Sequence, residues 1–132
     1  MREYIFRGYD AIGDKGWVYG DLVHNKKVTR DGLEDRVMVG GYEVVPESVG
    51  MFTGLKDKDG NDIYEGDIIG YSRYICEEDP EGYFEDLVTF DDGVFCMDED
   101  WGYPLQEAIF DASEFDGVKI IGNVYEKKKS EA

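Results

Sequence analysis

The amino-acid sequence predicts a mainly β protein: an SH3-like small β-barrel in the C-terminal half, preceded by a smaller N-terminal β subdomain. Three observations predict it. Seventeen glycines punctuate the chain and leave few windows for a long helix. Between them lie short runs rich in Val, Ile, Tyr and Phe, the residues that suit a pleated, half-buried surface. Several of the breaks are Gly-Gly or Asp-Gly pairs, which favour tight hairpins because both central residues take positive φ readily.

Taken in order, residues 4–9 (YIFRGY) read as a first strand, and Asp10 to Gly16 as a polar turn. Residues 17–23 (WVYGDLV) read as a second strand. His24 to Lys27 reads as a turn leading to a short extension at Val28-Thr29, and Asp31-Gly32 as another turn. Residues 36–39 and 42–45 flank Gly40-Gly41 as a tight hairpin. Pro46-Glu47-Ser48 reads as a single helical turn, since Pro presets φ and Glu suits the amino end. Asp59-Gly60 and Gly66-Asp67 mark two more turns, the second feeding a strand at Ile68 to Tyr71. Residues 87–90 and 94–97 enclose Asp91-Asp92-Gly93 as the clearest hairpin of the chain. Leu105, Ala108, Ile109 and Ala112 fall at i, i+3, i+4 and i+7 and predict a helix over 105–112. Residues 118–125 (VKIIGNVY) predict a last strand.

A shift in composition near residue 48 divides the chain. Residues 1–48 are expected to form the N-terminal β subdomain, with a role in oligomerisation. Residues 49–126 are expected to form the barrel, of about five strands, with an acidic loop insertion at 76–86. Residues 127–132 are expected to be a flexible tail.

The charge bounds the partners. Thirty-one acidic residues against 14 basic give a net charge of −17. Nucleic-acid affinity comes largely from Lys and Arg displacing counterions from phosphates, so direct binding to nucleic acid or to an anionic membrane is not expected. The aromatic share of 14% belongs to a folded chain rather than a disordered one. The start of the sequence lacks the apolar run of a signal peptide, and no apolar stretch approaches the ~18 residues of a membrane span. The expected location is the cytoplasm of a host cell, where Cys76 and Cys96 are reduced thiols.

The usual catalytic constellations are not evident. Asp57, Asp59, Asn61 and Asp62 around Gly60 invite a calcium-loop reading. An EF-hand loop, however, needs Gly at its sixth position and Glu at its twelfth, and counting from Asp57 those positions hold Asp62 and Ile68. His24 is the single histidine, which excludes a multi-histidine metal site. Ser48, Ser72 and Ser113 lack a nucleophile elbow. The glycines sit between strands rather than at a strand-to-helix phosphate cradle. No catalytic residue, cofactor or metal site is therefore assigned. The aromatics are more suggestive: Trp17, Tyr19, Tyr42, Tyr64, Tyr71, Tyr83, Trp101 and Tyr103 exceed what one small core accommodates. Tyr and Trp are enriched at protein interfaces, and Trp17, Tyr19, Tyr42, Tyr83, Trp101 and Tyr103 are the candidate interface residues.

Four segments together resemble the YopX family of bacteriophage and prophage proteins. They are the opening REYIFRGYD at 2–10, FTGLKDKDG at 52–60, IYEGDII at 63–69 and IIGNVYE at 120–126, in the family's order. The resemblance implies a β-rich fold with an SH3-like barrel in the second half, a phage or prophage origin, and oligomerisation. It implies no activity, the family being one of unknown function. Its shared residues have structural explanations: Gly54, Gly60 and Gly66 permit turns, Asp67 bonds nearby backbone amides, and Gly122 and Asn123 mark a bulge or strand crossing. The functional expectation is a non-catalytic protein–protein interaction module that binds a host or phage protein and forms a homo-oligomer. The alternatives are an acidic nucleic-acid mimic that inhibits a host DNA- or RNA-handling protein, and a carboxylate-based hydrolase.

Overall fold

The computed structural model describes residues 4–99 and 103–131, and the chain in it is mainly β, with its strands in three antiparallel sheets. It divides into two compact units, Met1–Phe52 and Thr53–Ala132.

The first unit opens with β1 (Phe6–Tyr9) and β2 (Trp17–Gly20), an antiparallel pair in which Tyr9 faces Trp17. The connecting turn is held by Asp10, whose carboxylate accepts the backbone N–H groups of Ile12, Gly13 and Lys15. Next come β3 (Leu22–Thr29), β4 (Gly32–Val39) and β5 (Tyr42–Glu43), in a sheet of order β3-β4-β5. Gly40 and Gly41 turn the chain from β4 to β5 with φ of 59° and 89°, as a two-residue hairpin turn requires. A 3-10 turn at Pro46–Ser48 follows, as expected. The Ser48 hydroxyl accepts the Tyr9 N–H at 2.7 Å and donates to the Val45 carbonyl at 2.6 Å. The strand β6 (Gly50–Lys56) begins in this unit, where Gly50 and Met51 pair with β1. A small core of Val18, Val39 and Val44 lies beneath, with Phe6, Leu22, Val37 and Val49 packed against it.

The second unit continues β6 into β7 (Asp62–Tyr64), its hydrogen-bonded neighbour. The strands β8 (Asp67–Arg73), β9 (Gly82–Asp91) and β10 (Val94–Met97) follow, then helix α1 (Leu105–Ala112), strand β11 (Lys119–Asn123) and helix α2 (Val124–Glu131). The larger sheet has the order β10-β9-β8-β11. Ile63, Ile69, Tyr71, Val88, Met97 and Val118 are buried together with Leu105, Ala108 and Ala112 of α1. Those three helical positions, with Ile109 packed against the cluster, are the apolar stripe seen in the sequence. Each fully buried aliphatic side chain of this cluster contributes about 1.5–3 kcal/mol.

Four expectations are corrected. The turn placed at His24 to Lys27 is the middle of β3, an eight-residue strand paired along its whole length with β4. Residues 22–29 show no apolar alternation because neither face of that strand is buried, so the period-2 signal is absent. The acidic excursion at 76–86 is shorter, because β9 starts at Gly82 and pairs with β8 from there, Gly82 to Arg73. Tyr71 stacks on Phe84 at 5.8 Å, which anchors that early stretch. The last strand ends at Asn123, and the chain from Val124 through Glu131 is helical rather than a loose tail. The Asn123 side chain accepts the Glu126 N–H at 2.9 Å, a helix N-cap that starts α2. Finally, Tyr64 and Tyr71 are not surplus aromatics: they are 6% and 2% exposed.

Candidate functional site

Three of the four shared sequence segments, 52–60, 63–69 and 120–126, meet in the second unit. Asp57 sits in the β6–β7 turn with its side chain turned inward, accepting the N–H groups of Asp59 and Asn61 at 3.0 and 2.9 Å. Its other oxygen accepts the N–H of Ile120 in β11 at 3.3 Å, and the Lys58 N–H donates to the Val118 carbonyl at 2.9 Å. The FTGLKDKDG and IIGNVYE segments are thereby stitched together. Burial alone would raise the Asp57 pKa; the bonds from Asn61, Ile120 and Asp59 outweigh it and hold the carboxyl below its ordinary value. Asp67 accepts the Tyr64 N–H at 2.8 Å across the β7–β8 turn. The Gly66 carbonyl of the same turn accepts the N–H of Val124, where α2 begins.

The predicted turn residues fall as follows. Gly60 and Gly66 occupy turns with positive φ. Gly54 also has positive φ (85°) but lies within β6 rather than in a turn. Gly122 stands at the register shift in the β11–β8 ladder, between Ile120 and Gly122, a bulge. Asn123 is the α2 cap.

The candidate interface aromatics differ in exposure. Tyr19, Tyr42 and Tyr83 are exposed. Trp17 is half-buried, edge-on to Tyr9 at 5.4 Å, with the Arg7 guanidinium 4.6 Å from its ring centre. Tyr103 is half-buried and donates its hydroxyl to Asp111, and the Arg73 guanidinium lies 5.0 Å from its ring and 4.7 Å from that of Phe84. Burial, and then the Asp111 carboxylate, push the Tyr103 hydroxyl far above the ordinary phenol range. The Tyr83 hydroxyl donates to Glu85, which raises its pKa in turn. Trp101 lies outside the described residues. Trp17, Tyr19 and Tyr42 belong to the first unit, on β2 and β5 of different sheets, and Tyr83 and Tyr103 belong to the second.

The sequence reading missed a cavity of about 400 Å³ in the first unit. It is lined by His24, Asn25, Lys26, Asp35, Arg36, Val37 and Pro46. The Arg36 Nε donates to Asn25 Oδ1 at 2.6 Å, and Lys26 pairs with Asp35 at 2.8 Å, holding that carboxyl below its ordinary pKa. The signal that could have found it is the Asp31-Gly32 turn, flanked by two runs of equal length that pair as a hairpin. A second cavity of about 300 Å³ in the other unit is lined by four acids, Glu85, Asp86, Asp98 and Glu99, with Lys127 and the apolar Ile68, Leu87 and Val124. The oxygens of Asp86 are occupied by the N–H groups of Leu87 and Glu99.

The acidity is unevenly spread. The first unit carries seven basic and nine acidic residues, a net charge of −2, and the second carries seven and 22, a net charge of −15. Within the β3–β4 hairpin, residues 22–39, Lys26, Lys27, Arg30 and Arg36 outnumber Asp31, Glu34 and Asp35.

Comparison with known proteins completes the site description. The family described as YopX protein matches residues 5–129. The chain belongs to the YopX family. A solved structure, the crystal structure of protein EF1440 from Enterococcus faecalis, is similar with a TM-score of 0.53 and 21% identity, covering 98% of this chain and 99% of that one. At that identity the likeness to EF1440 is one of fold. No curated protein matches. Among the described residues of this YopX protein, no helix is long and apolar enough to cross a membrane.

Proposed function

We propose that this YopX protein is a phage- or prophage-encoded accessory protein acting in the host cytoplasm as a non-catalytic protein–protein interaction module and a homo-oligomer. The second unit is its scaffold, a small barrel of SH3-like type in this reading, whose six strands and α1 enclose the main core. The observation that carries the proposal is the β3–β4 hairpin. Of its sixteen residues only Val39 is buried, while Val28 and Leu33, paired across the two strands, are 85% and 65% exposed. Val23 is exposed as well. A hairpin apolar near its tip and exposed over its outer half gains little stability from its own packing, and association with another chain supplies the missing burial. The test compares the native chain with the double variant Val28→Lys, Leu33→Lys, in sedimentation and in capture of host proteins. Loss of self-association and of captured partner, with unchanged thermal unfolding, supports the reading. A native chain that stays monomeric across micromolar concentrations and retains no partner overturns it.

The charge of −15 on the second unit favours one further reading, a mimic of nucleic acid for the basic groove of a host enzyme. Its mark is capture of a DNA- or RNA-handling protein that is released steeply as salt rises. Salt-insensitive capture counts against it.

A further inference from the structure

We propose that the outer edge of β3 pairs with β3 of a second copy of this chain, the two strands running antiparallel about a twofold axis at Asn25. The inference rests on the interaction-module reading and gives its homo-oligomer a contact. Every residue it uses lies in the first unit.

The bonding pattern fixes which residues face that edge. The Gly40 N–H donates to the Asp21 carbonyl at 3.1 Å, and the Val44 N–H to the Val37 carbonyl at 3.0 Å. Along an antiparallel strand, residues alternate between bonding one neighbour and bonding the other. Val23, Asn25, Lys27 and Thr29 therefore bond β4, and the backbone groups of Leu22, His24, Lys26 and Val28 point away from it. Strand β3 is the outer strand of the order β3-β4-β5, and among the described residues nothing bonds those outward groups. The edge carries no bulge and no Pro, two of the devices that keep edge strands apart. Lysine is another such device, but Lys26 is held by Asp35 of β4 at 2.8 Å and Lys27 by Glu43 of β5 at 3.0 Å, both within their own sheet.

The side chains select the occupant and the register. Opposite residues of an antiparallel pair share a face, so the twofold axis passes through a residue. An axis at Asn25 sets Leu22 opposite Val28 of the partner copy and His24 opposite its Lys26, and it spends every outward residue of the strand. An axis at Lys26 would set two lysines face to face, which is destabilising. An axis at His24 would leave Val28 without an opposite residue in β3. Leu22 lies opposite Val39 in its own sheet, and Val28 opposite Leu33. In the Asn25 register Leu33 and Val28 of one copy thus run in a single row into Leu22 and Val39 of the other. The tip pair, 65% and 85% exposed, extends the edge of the partner's core, where Val39 is buried and Leu22 packs against it. The symmetry repeats this row in the other direction, a self-complementarity that a second copy supplies, and both β3 edges are used up in a closed pair.

Engineered cysteines in the full chain supply the test. On the axis, Asn25 faces its own copy as a non-hydrogen-bonded pair with Cα atoms about 4.5 Å apart, within disulfide reach. Val23, also exposed, lies about 14 Å from its copy. Under mild oxidation Asn25→Cys is expected to form a dimer whose link maps to position 25, with Val23→Cys left unlinked there; peptide mapping separates either from a link through Cys76. In sedimentation, His24→Pro removes an outward N–H, leaves the β3–β4 bonds in place and weakens self-association roughly tenfold or more. His24→Ala keeps that N–H and associates like the native chain. Linking of Asn25→Cys no faster than of Val23→Cys, or a folded His24→Pro that associates as tightly as the native chain, overturns the proposal. If His24→Pro does not fold, the cysteine pair decides. A chain that stays monomeric and protects its amides at 24, 26 and 28 only on binding a host protein hands the edge to a foreign strand and overturns the second-copy assignment. If edge pairing fails while Val28→Lys, Leu33→Lys still abolishes association, the interaction-module reading stands without it. A native chain that neither associates nor captures a partner fails both.

Discussion

Asp57 accepts the backbone N–H of Ile120, sixty-three residues further along the chain, at 3.3 Å. The same carboxylate closes its own turn through Asp59 and Asn61. One side chain thus couples the β6–β7 turn to β11. Replacing Asp57 with Ala strands these donors in a largely buried place and is expected to cost about 2–3 kcal/mol in urea unfolding. Asp57→Asn keeps one acceptor oxygen and is expected to cost less. Equal stability of the Ala variant and the native chain would refute the role.

The same bonds set a pH dependence. The folded Asp57 carboxyl releases its proton more readily than in the unfolded chain, where its pKa is about 3.9. The unfolded state therefore binds more protons in acid, and the stabilisation, complete above about pH 5, is lost as pH falls through about 4 and below. Asp10, whose carboxyl is lowered by the Gly13 and Ile12 amides, adds the same sign in the first unit. Urea midpoints measured at descending pH are expected to fall less steeply for Asp57→Asn than for the native chain. Parallel slopes would remove Asp57 from the account.

Gly60 and Gly122 separate backbone strain from crowding. A Cβ at either position meets nothing within 4 Å, but Gly60 has φ of 84° and Gly122 has no positive φ. Gly60→Ala is expected to destabilise by about 1 kcal/mol, and Gly122→Ala to be neutral or slightly stabilising. Thermal melts of the two variants check the order, and a reversal would contradict the assigned backbone.

Asn123→Ala removes the cap of α2, worth about 1 kcal/mol locally. The helix buries no side chain, so the loss is expected as faster amide exchange over residues 124–131 with little change in global melting. A large drop in melting temperature would mean that α2 is bound into the core.

What the sequence made legible was local. The Gly40-Gly41 and Asp92-Gly93 hairpins announce themselves because their φ requirements are written in two adjacent residues. The α1 helix is legible because Leu105, Ala108 and Ala112 keep helical spacing and all three are buried. Elements without a buried face leave no pattern: the middle of β3, His24 to Lys27, reads as a turn, and α2 as strand and tail. In the second case the Asn123-to-Glu126 spacing resembles a capping signature and was the available clue. The candidate site was the least legible part. His24 and Lys26 line the cavity beside Val37 and Asp35 because β3 and β4 pair along eight residues, and that register cannot be read from either strand alone.

The bare β3–β4 hairpin has a consequence for divergence among relatives. Packing holds only Val39, with Leu22 and Val37 beside it, among its sixteen residues, so under the interaction-module proposal substitutions along the rest are filtered by what the hairpin touches and hardly by the need to stay folded. Recognition can then change hands by exchanging a short stretch of sequence while the rest is inherited intact. Under the proposed function, transplanting residues 22–39 between two YopX chains is expected to move a binding preference from one to the other, and an unchanged preference counts against the hairpin's role.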